Sequence, residues 1–138
     1  MTYLQIESLD QEGRGIARRD GKVIFVEGAL PGERVEIESY RKKSSFEMAV
    51  ATTIRNESAS RTTPGCAFFG LCGGCSLQHM DARTQVAAKQ RVLEDNLRHI
   101  GKVTPEQILP AIHGPTWGYR HRARLTSRYV GKKGGALV

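Results

Sequence analysis

Polar and apolar positions change period once along this chain. From Tyr3 to Leu9 they alternate, with Leu4, Ile6 and Ser8 on one face and Tyr3, Gln5 and Glu7 on the other, the period of a half-buried strand. Gly13 and Gly15 interrupt it, and Ile16–Arg19 is a second short strand. Asp20-Gly21 is a dipeptide that suits a two-residue hairpin turn. Lys22–Glu27 holds the continuous apolar run Val23-Ile24-Phe25-Val26, which suits a buried strand. After the turn Leu30-Pro31-Gly32, Glu33–Tyr40 alternates again, with Val35 and Ile37 inward and Glu36 and Glu38 outward. Arg41-Lys42-Lys43-Ser44-Ser45 reads as a basic loop and Phe46–Ile54 as a fifth strand. Five short strands without a helix predict a small closed barrel of the OB type.

The second half reads differently. Asp81 is placed to cap a helix that runs to about Ile100 and stops at Gly101. Ala82, Val86, Leu93, Leu97 and Ile100 share one face at helical spacing. Pro105 and Pro110 mark a loop, and a strand pattern returns from Trp117 to Val130. Ala136, Leu137 and Val138 look like the entry into a further strand, as if the chain continued. The predicted class is mainly β with one α-helix. The predicted domains are a barrel at 1–58, a cysteine loop at 59–80, and the beginning of an α+β domain at 81–138.

Charge adds a partner. The 138 residues carry a formal net charge of +7, a balance that suits a polyanion, nucleic acid before membrane. No run has the length of a membrane span and no secretory pattern opens the chain. A reducing, cytoplasmic setting is the simplest one for its three cysteines.

Those three cysteines fall within ten residues as Cys66-x5-Cys72-x2-Cys75, on a loop that also holds Gly65, Gly70, Gly73 and Gly74. An odd count argues against disulfides. Clustered thiolates are soft ligands for zinc or for an iron–sulfur cluster. His79 completes a Cys3His zinc set, whereas a cluster needs a fourth cysteine from elsewhere. The residues alone favour the two about equally.

The other charged constellation is Tyr119-Arg120-His121-Arg122-Ala123-Arg124-Leu125-Thr126-Ser127-Arg128. Strand alternation would put Arg120, Arg122, Arg124 and Arg128 on one face. From Trp117 onward the sequence contains no Asp or Glu, so no local acid can pair with them. Guanidinium forks suit phosphates and base edges. In the barrel, Lys42 and Lys43, with Arg41, are the matching RNA-contact candidates, and Arg14, Arg18 and Arg19 lie near another turn. His99 and His113 have no partners at ligand spacing, and no Ser/His/Asp or Cys/His catalytic arrangement emerges.

Together these segments resemble a known family. Gly13-Arg14-Gly15-Ile16-Ala17-Arg18 and Gly21 through Glu33 resemble a TRAM domain, a small OB-like RNA-binding barrel. Cys66-x5-Cys72-x2-Cys75 with the following Leu77-Gln78-His79 resembles the iron–sulfur loop of the bacterial RNA uracil carbon-5 methyltransferases. Tyr119-Arg120-His121-Arg122-Ala123-Arg124 resembles a strand of their central domain. The resemblance implies a [4Fe–4S] cluster on Cys66, Cys72 and Cys75 with its fourth ligand beyond Val138. It implies a 23S ribosomal RNA substrate, formation of 5-methyluridine, and S-adenosylmethionine as methyl donor to a complete protein, expected to be a monomer. It also implies a covalent mechanism, in which a thiolate adds to carbon 6 of a flipped-out uracil. No residue of this chain matches the catalytic or S-adenosylmethionine-binding residues, so the piece read here is expected to be an inactive N-terminal portion. The other reading is a stand-alone RNA-binding module with a Cys3His zinc site.

Overall fold

A computed structural model describes residues 3–137; Val138, the last residue of the expected terminal strand, lies outside them. The first two strands, β1 (Leu4–Gln5) and β2 (Ser8–Leu9), are followed by β3 (Gly15–Arg19), β4 (Lys22–Glu27), β5 (Arg34–Lys42) and β6 (Phe46–Arg55). They form one sheet in the order β1-β5-β6-β4-β3-β2. The expected single strand at Tyr3–Leu9 is thus two, for a reason of geometry. Its first half pairs with β5, Leu4 opposite Val35, and its second half with β3, Ser8 opposite Ile16. Between the halves, the Ile6 N–H donates to the Glu33 carbonyl at 2.9 Å and the Glu7 N–H to the Ile16 carbonyl at 2.8 Å. One short segment therefore satisfies both edges of the sheet, which removes the exposed edges that an open sheet would present. β4 and β6 run parallel, and every other pair is antiparallel.

The hairpin between β3 and β4 turns at Asp20 (φ 52°) and Gly21 (φ 75°). Positive φ at both central residues is the turn whose twist matches that of paired strands. β5 and β6 pair over their whole lengths with register shifts at Glu36/Ile37 and Ser39/Arg41, the bulges that let long strands bend around a small barrel. That pairing corrects the expected basic loop. Arg41 and Lys42 belong to β5, Lys42 pairs with Glu47, and the Lys43 N–H donates to the Phe46 carbonyl at 2.9 Å. The turn is left with Lys43, Ser44 and Ser45.

Alternation sends Ile24 and Val26 of β4, Val35 of β5 and Ala49 of β6 into one core with Leu4, Ile6 and Ala17. Among the described residues, the buried positions all lie within 4–49 or are His79 and Met80.

Beyond the barrel, α1 (Ala82–His99) begins at Asp81, whose carboxylate accepts from the Arg83 and Thr84 amides, each at 3.0 Å. It ends on Ile100. The left-handed residue past the end is Lys102 (φ 54°), not Gly101. Glycine at 101 answers a close approach instead: a Cβ there would lie 3.1 Å from the Leu97 carbonyl oxygen. α1 buries none of its residues, and no described helix is long and apolar enough to cross a membrane. The expected strand over Trp117–Val130 is reduced to β7 (Arg128–Val130), which pairs with β8 (Gly135–Leu137) across a 3-10 turn at Gly131–Lys133. A strand needs a partner for its amides and carbonyls, and none of the described residues pairs with 117–127.

Candidate metal centre and nucleic-acid interface

The cysteines sit on a loop closed by a small antiparallel ladder. Arg61 bridges Met80, the Thr62 N–H donates to the His79 carbonyl at 3.0 Å, and the Asp81 N–H to the Ser60 carbonyl at 2.8 Å. Within the loop the Phe69 N–H donates to the Cys66 carbonyl at 3.1 Å and the Cys72 N–H to the Phe68 carbonyl at 3.2 Å. The Gln78 side-chain oxygen accepts from the Cys66 N–H at 3.2 Å. Gly70 (φ 83°) and Gly73 (φ 70°) take the left-handed turns that wrap this segment.

Three contacts fix the loop to its surroundings. The largest is a buried ion pair. Arg61 donates to both oxygens of the fully buried Glu33, Nε at 2.6 Å and the terminal nitrogen at 2.7 Å, and also to the Gly28 carbonyl at 2.7 Å. The Leu30 and Ser58 amides complete the Glu33 shell at 2.8 and 3.0 Å. Burial by itself would push the Glu33 carboxyl upward. The Arg61 side chain, the two amides and the Arg61 charge outweigh it and hold the group below the ordinary carboxylate value. Second, Gly13 (φ 83°) lies so close to Leu77 that a Cβ would come within 2.6 Å of its Cδ2. Third, Trp117 covers Gly65, where a Cβ would meet the indole at 3.1 Å.

The three thiols are free, with Cys72 and Cys75 exposed and Cys66 half-buried. The Gly74 N–H points at the Cys72 sulfur at 3.4 Å, the kind of amide contact that stabilises a thiolate. The donor set therefore has the chemistry of a soft-metal or iron–sulfur ligand. Among the described residues, no three His, Cys, Asp or Glu side chains are gathered around one metal position. His79 in particular does not join the cysteines in a ligand set. Its ring is buried, lies against Phe69 with centroids 5.5 Å apart and planes tilted by 34°, and has no hydrogen-bond partner at either nitrogen among the described residues. Burial, with the nearby Arg61 charge, lowers its pKa.

Arg120, Arg122 and Arg124 lie on an exposed irregular segment, and Arg128 opens β7. They are solvent-exposed and make no ion pair among the described residues, but the common strand face expected for them does not form. The Arg120 guanidinium lies over the Tyr119 ring at 5.5 Å. A groove of about 960 Å³ joins the two candidate regions, lined by Cys75, Gln78, Gln85, Lys89, Trp117 and Arg120 among others. On the barrel, Lys42 reaches Glu47 at 4.0 Å while Lys43 stands beside Phe46. Sequence reasoning missed the Glu33–Arg61 pair, which joins positions 28 residues apart. It also missed the outward aromatic pair Phe25–Phe46, because a run of four apolar residues hides which of them face inward.

A small barrel in a chain of net charge +7 suits a polyanionic partner, and comparison with known proteins narrows the class. The TRAM domain family model matches residues 4–38, which lie within the barrel. The chain is similar over nearly its whole length to 23S rRNA (uracil(1939)-C(5))-methyltransferases RlmD. With that of Nitrosospira multiformis it is 68% identical over 133 residues, 96% of this chain and 30% of the relative. With that of Bordetella avium it is 60% identical over 135 residues, 98% and 28% of the two chains. With that of Aromatoleum aromaticum it is 62% identical over 138 residues, 100% and 32%. The chain thus spans about 30% of the length of these relatives.

Proposed function

We propose that this chain is the RNA-binding and iron–sulfur portion of an S-adenosylmethionine-dependent methyltransferase that forms 5-methyluridine in 23S ribosomal RNA. The observation that carries the reading is identity of 68% over 96% of the chain with such an enzyme. The basic surface and the TRAM barrel support the RNA part. In this reading the protein works in the cytoplasm as a monomer. Cys66, Cys72 and Cys75 hold a [4Fe–4S] cluster, with a fourth thiolate beyond Val138. Three soft donors on a loop anchored at both ends fit such a guest, and the Gly74 amide beside Cys72 suits a ligated sulfur. With all three cysteines committed to metal, the chain has no thiol left for attack on uracil, so catalysis belongs to residues outside it. The chain's own residues bind and orient RNA: Lys42 and Lys43 on the barrel, Arg120, Arg122, Arg124 and Arg128 on the segment that follows α1.

The test compares this chain with the complete protein. The complete protein, purified without oxygen, should contain iron and sulfide and transfer labelled methyl groups from S-adenosylmethionine to 23S ribosomal RNA. The chain itself should bind RNA and transfer none. Label transferred by the chain would refute the assignment of its cysteines. One zinc per chain without iron, lost on His79→Ala, would establish the Cys3His module instead.

A further inference from the structure

The outer face of the barrel carries an aromatic pair that the core does not use. Ile24 and Val26 of β4 and Glu47 and Ala49 of β6 are buried. Their neighbours Phe25, Phe46 and Met48 therefore face outward, half-buried, with the more exposed Val50 beyond them. The parallel register sets Val23 beside Phe46 and Phe25 beside Met48. The two phenylalanine rings meet edge to face, centroids 6.2 Å apart at 75°. In a packed protein such a pair would be covered, yet here it is ringed by cations. The Arg14 guanidinium lies 5.0 Å from the Phe25 centroid. Arg41 and Lys43 lie 5.9 and 5.8 Å from that of Phe46.

The cations differ in one respect that decides what the patch can take. Arg14 is held by Asp10 at 2.7 Å and Glu12 at 3.2 Å. Arg41 and Lys43 have no carboxylate partner among the described residues. They stand over the Phe46 ring near the outer limit of the cation–π range. A half-buried aromatic ring with two unneutralised cations within cation–π range combines the two groups by which single strands are held, a base on the ring and a phosphate on the cation. A duplex hides its base faces and offers phosphates alone.

We propose that Phe46, backed by Phe25 and flanked by Arg41 and Lys43, is a stacking platform for one unpaired base of an RNA single strand. The proposal rests on the RNA-binding reading above and adds the site, the structural form of the RNA and the residue that touches the base. The turn at Lys43–Ser45 follows directly, because shortening the expected loop is what brings Lys43 beside Phe46.

The test measures binding of a short single-stranded oligouridylate, and of a duplex of equal length, to this chain and to its Phe46→Leu and Phe46→Trp variants. Leucine keeps the apolar bulk and loses the π-face; it should weaken single-strand binding by about fivefold or more and leave duplex binding unchanged. Tryptophan should match or exceed the parent. Arg41→Gln and Lys43→Gln should each reduce the slope of log K against log salt by about 0.7, a readout that survives if a Phe46 variant unfolds. Single-strand affinity and salt slope unchanged in all four variants would overturn the platform and leave RNA binding elsewhere on the chain intact. Self-association of the chain that Phe46→Leu abolishes, with RNA affinity unaltered, would make the patch a protein interface and overturn it too. An unsubstituted chain that binds neither RNA would overturn the RNA-binding reading itself.

Discussion

The barrel and the segment after it solve the same problem in different ways. Residues 4–55 bury their apolar alternation against one another. Residues 82–137 form a capped amphipathic helix and a short hairpin, and none of their described side chains is buried. Ile100, Leu109, Leu125 and Tyr129 are each more than 70% exposed. Amphipathic pattern predicts an element, whereas burial requires a second surface for that element to meet. The barrel contains its second surface, because a sheet that closes on itself is its own partner. The helix does not find one among the described residues. The cysteine loop stands between these cases: it has almost no apolar core and is tied to the barrel chiefly by the buried Glu33–Arg61 ion pair, with Leu77 packed against Gly13.

That tie gives the largest expected effect. Arg61→Ala leaves the Glu33 carboxylate buried without its charge partner, a change that typically costs about 3–5 kcal/mol. The barrel should melt much earlier in thermal or urea unfolding, and the loop should become sensitive to protease. The pH dependence carries the same signature. Because the folded Glu33 value is depressed below the ordinary 4.5, its contribution to stability is present above about that pH and lost as pH falls through the folded value. Arg61→Ala should remove this term, so that acid unfolding begins at higher pH. A variant with the parent's melting point and acid midpoint would mean that the loop is held by Leu77 and Trp117 instead, and the barrel would then stand independent of it.

The comparison sharpens further with paired core and surface substitutions. Ile24→Ala removes buried atoms from the closed core and should cost about 2–5 kcal/mol. Leu93→Ala removes a side chain from the exposed helix and should change stability by no more than about 0.5 kcal/mol. Equal costs, read from urea midpoints of the two variants, would show that α1 packs as tightly as the barrel does.

The same contrast explains what could be read from sequence. β3, β4 and α1 follow from local signals: the Asp20-Gly21 turn, the Val23–Val26 run and the Asp81 cap. The chain connection that splits β1 from β2 was not legible, since its cause is the closing of a sheet whose other edge lies thirty residues on. The strand expected from Trp117 failed for the complementary reason. Alternation was present over Tyr119–Arg128, but no described segment pairs with it, so the four arginines are exposed without sharing a strand face. The cysteine spacing was legible, while the burial of His79 beside Phe69 was not, because it depends on a contact between residues ten apart that no local pattern marks. The Glu33–Arg61 pair had no signature, as neither residue sits in a pattern that demands the other.

The smallest expected effect tests the helix by its own end. Asp81 accepts from the Arg83 and Thr84 amides and from the Thr84 hydroxyl, the last at 2.6 Å. The Thr84 side-chain and backbone bonds are what hold its carboxyl below the ordinary value. A cap of this kind satisfies amides that the helix cannot satisfy internally. In a well-packed protein its loss is absorbed by tertiary contacts and appears as a lower melting point. α1 has few such contacts, so Asp81→Ala should instead fray the first turn. The expected result is a drop in helical ellipticity and faster amide exchange at Arg83 and Thr84, with the unfolding midpoint of the barrel unchanged. Asp81→Asn, which keeps an acceptor, should restore most of the signal. If Asp81→Ala lowers the barrel's midpoint as well, the Asp81 amide bond to the Ser60 carbonyl couples helix and barrel into one cooperative unit, and the two regions cease to be separable.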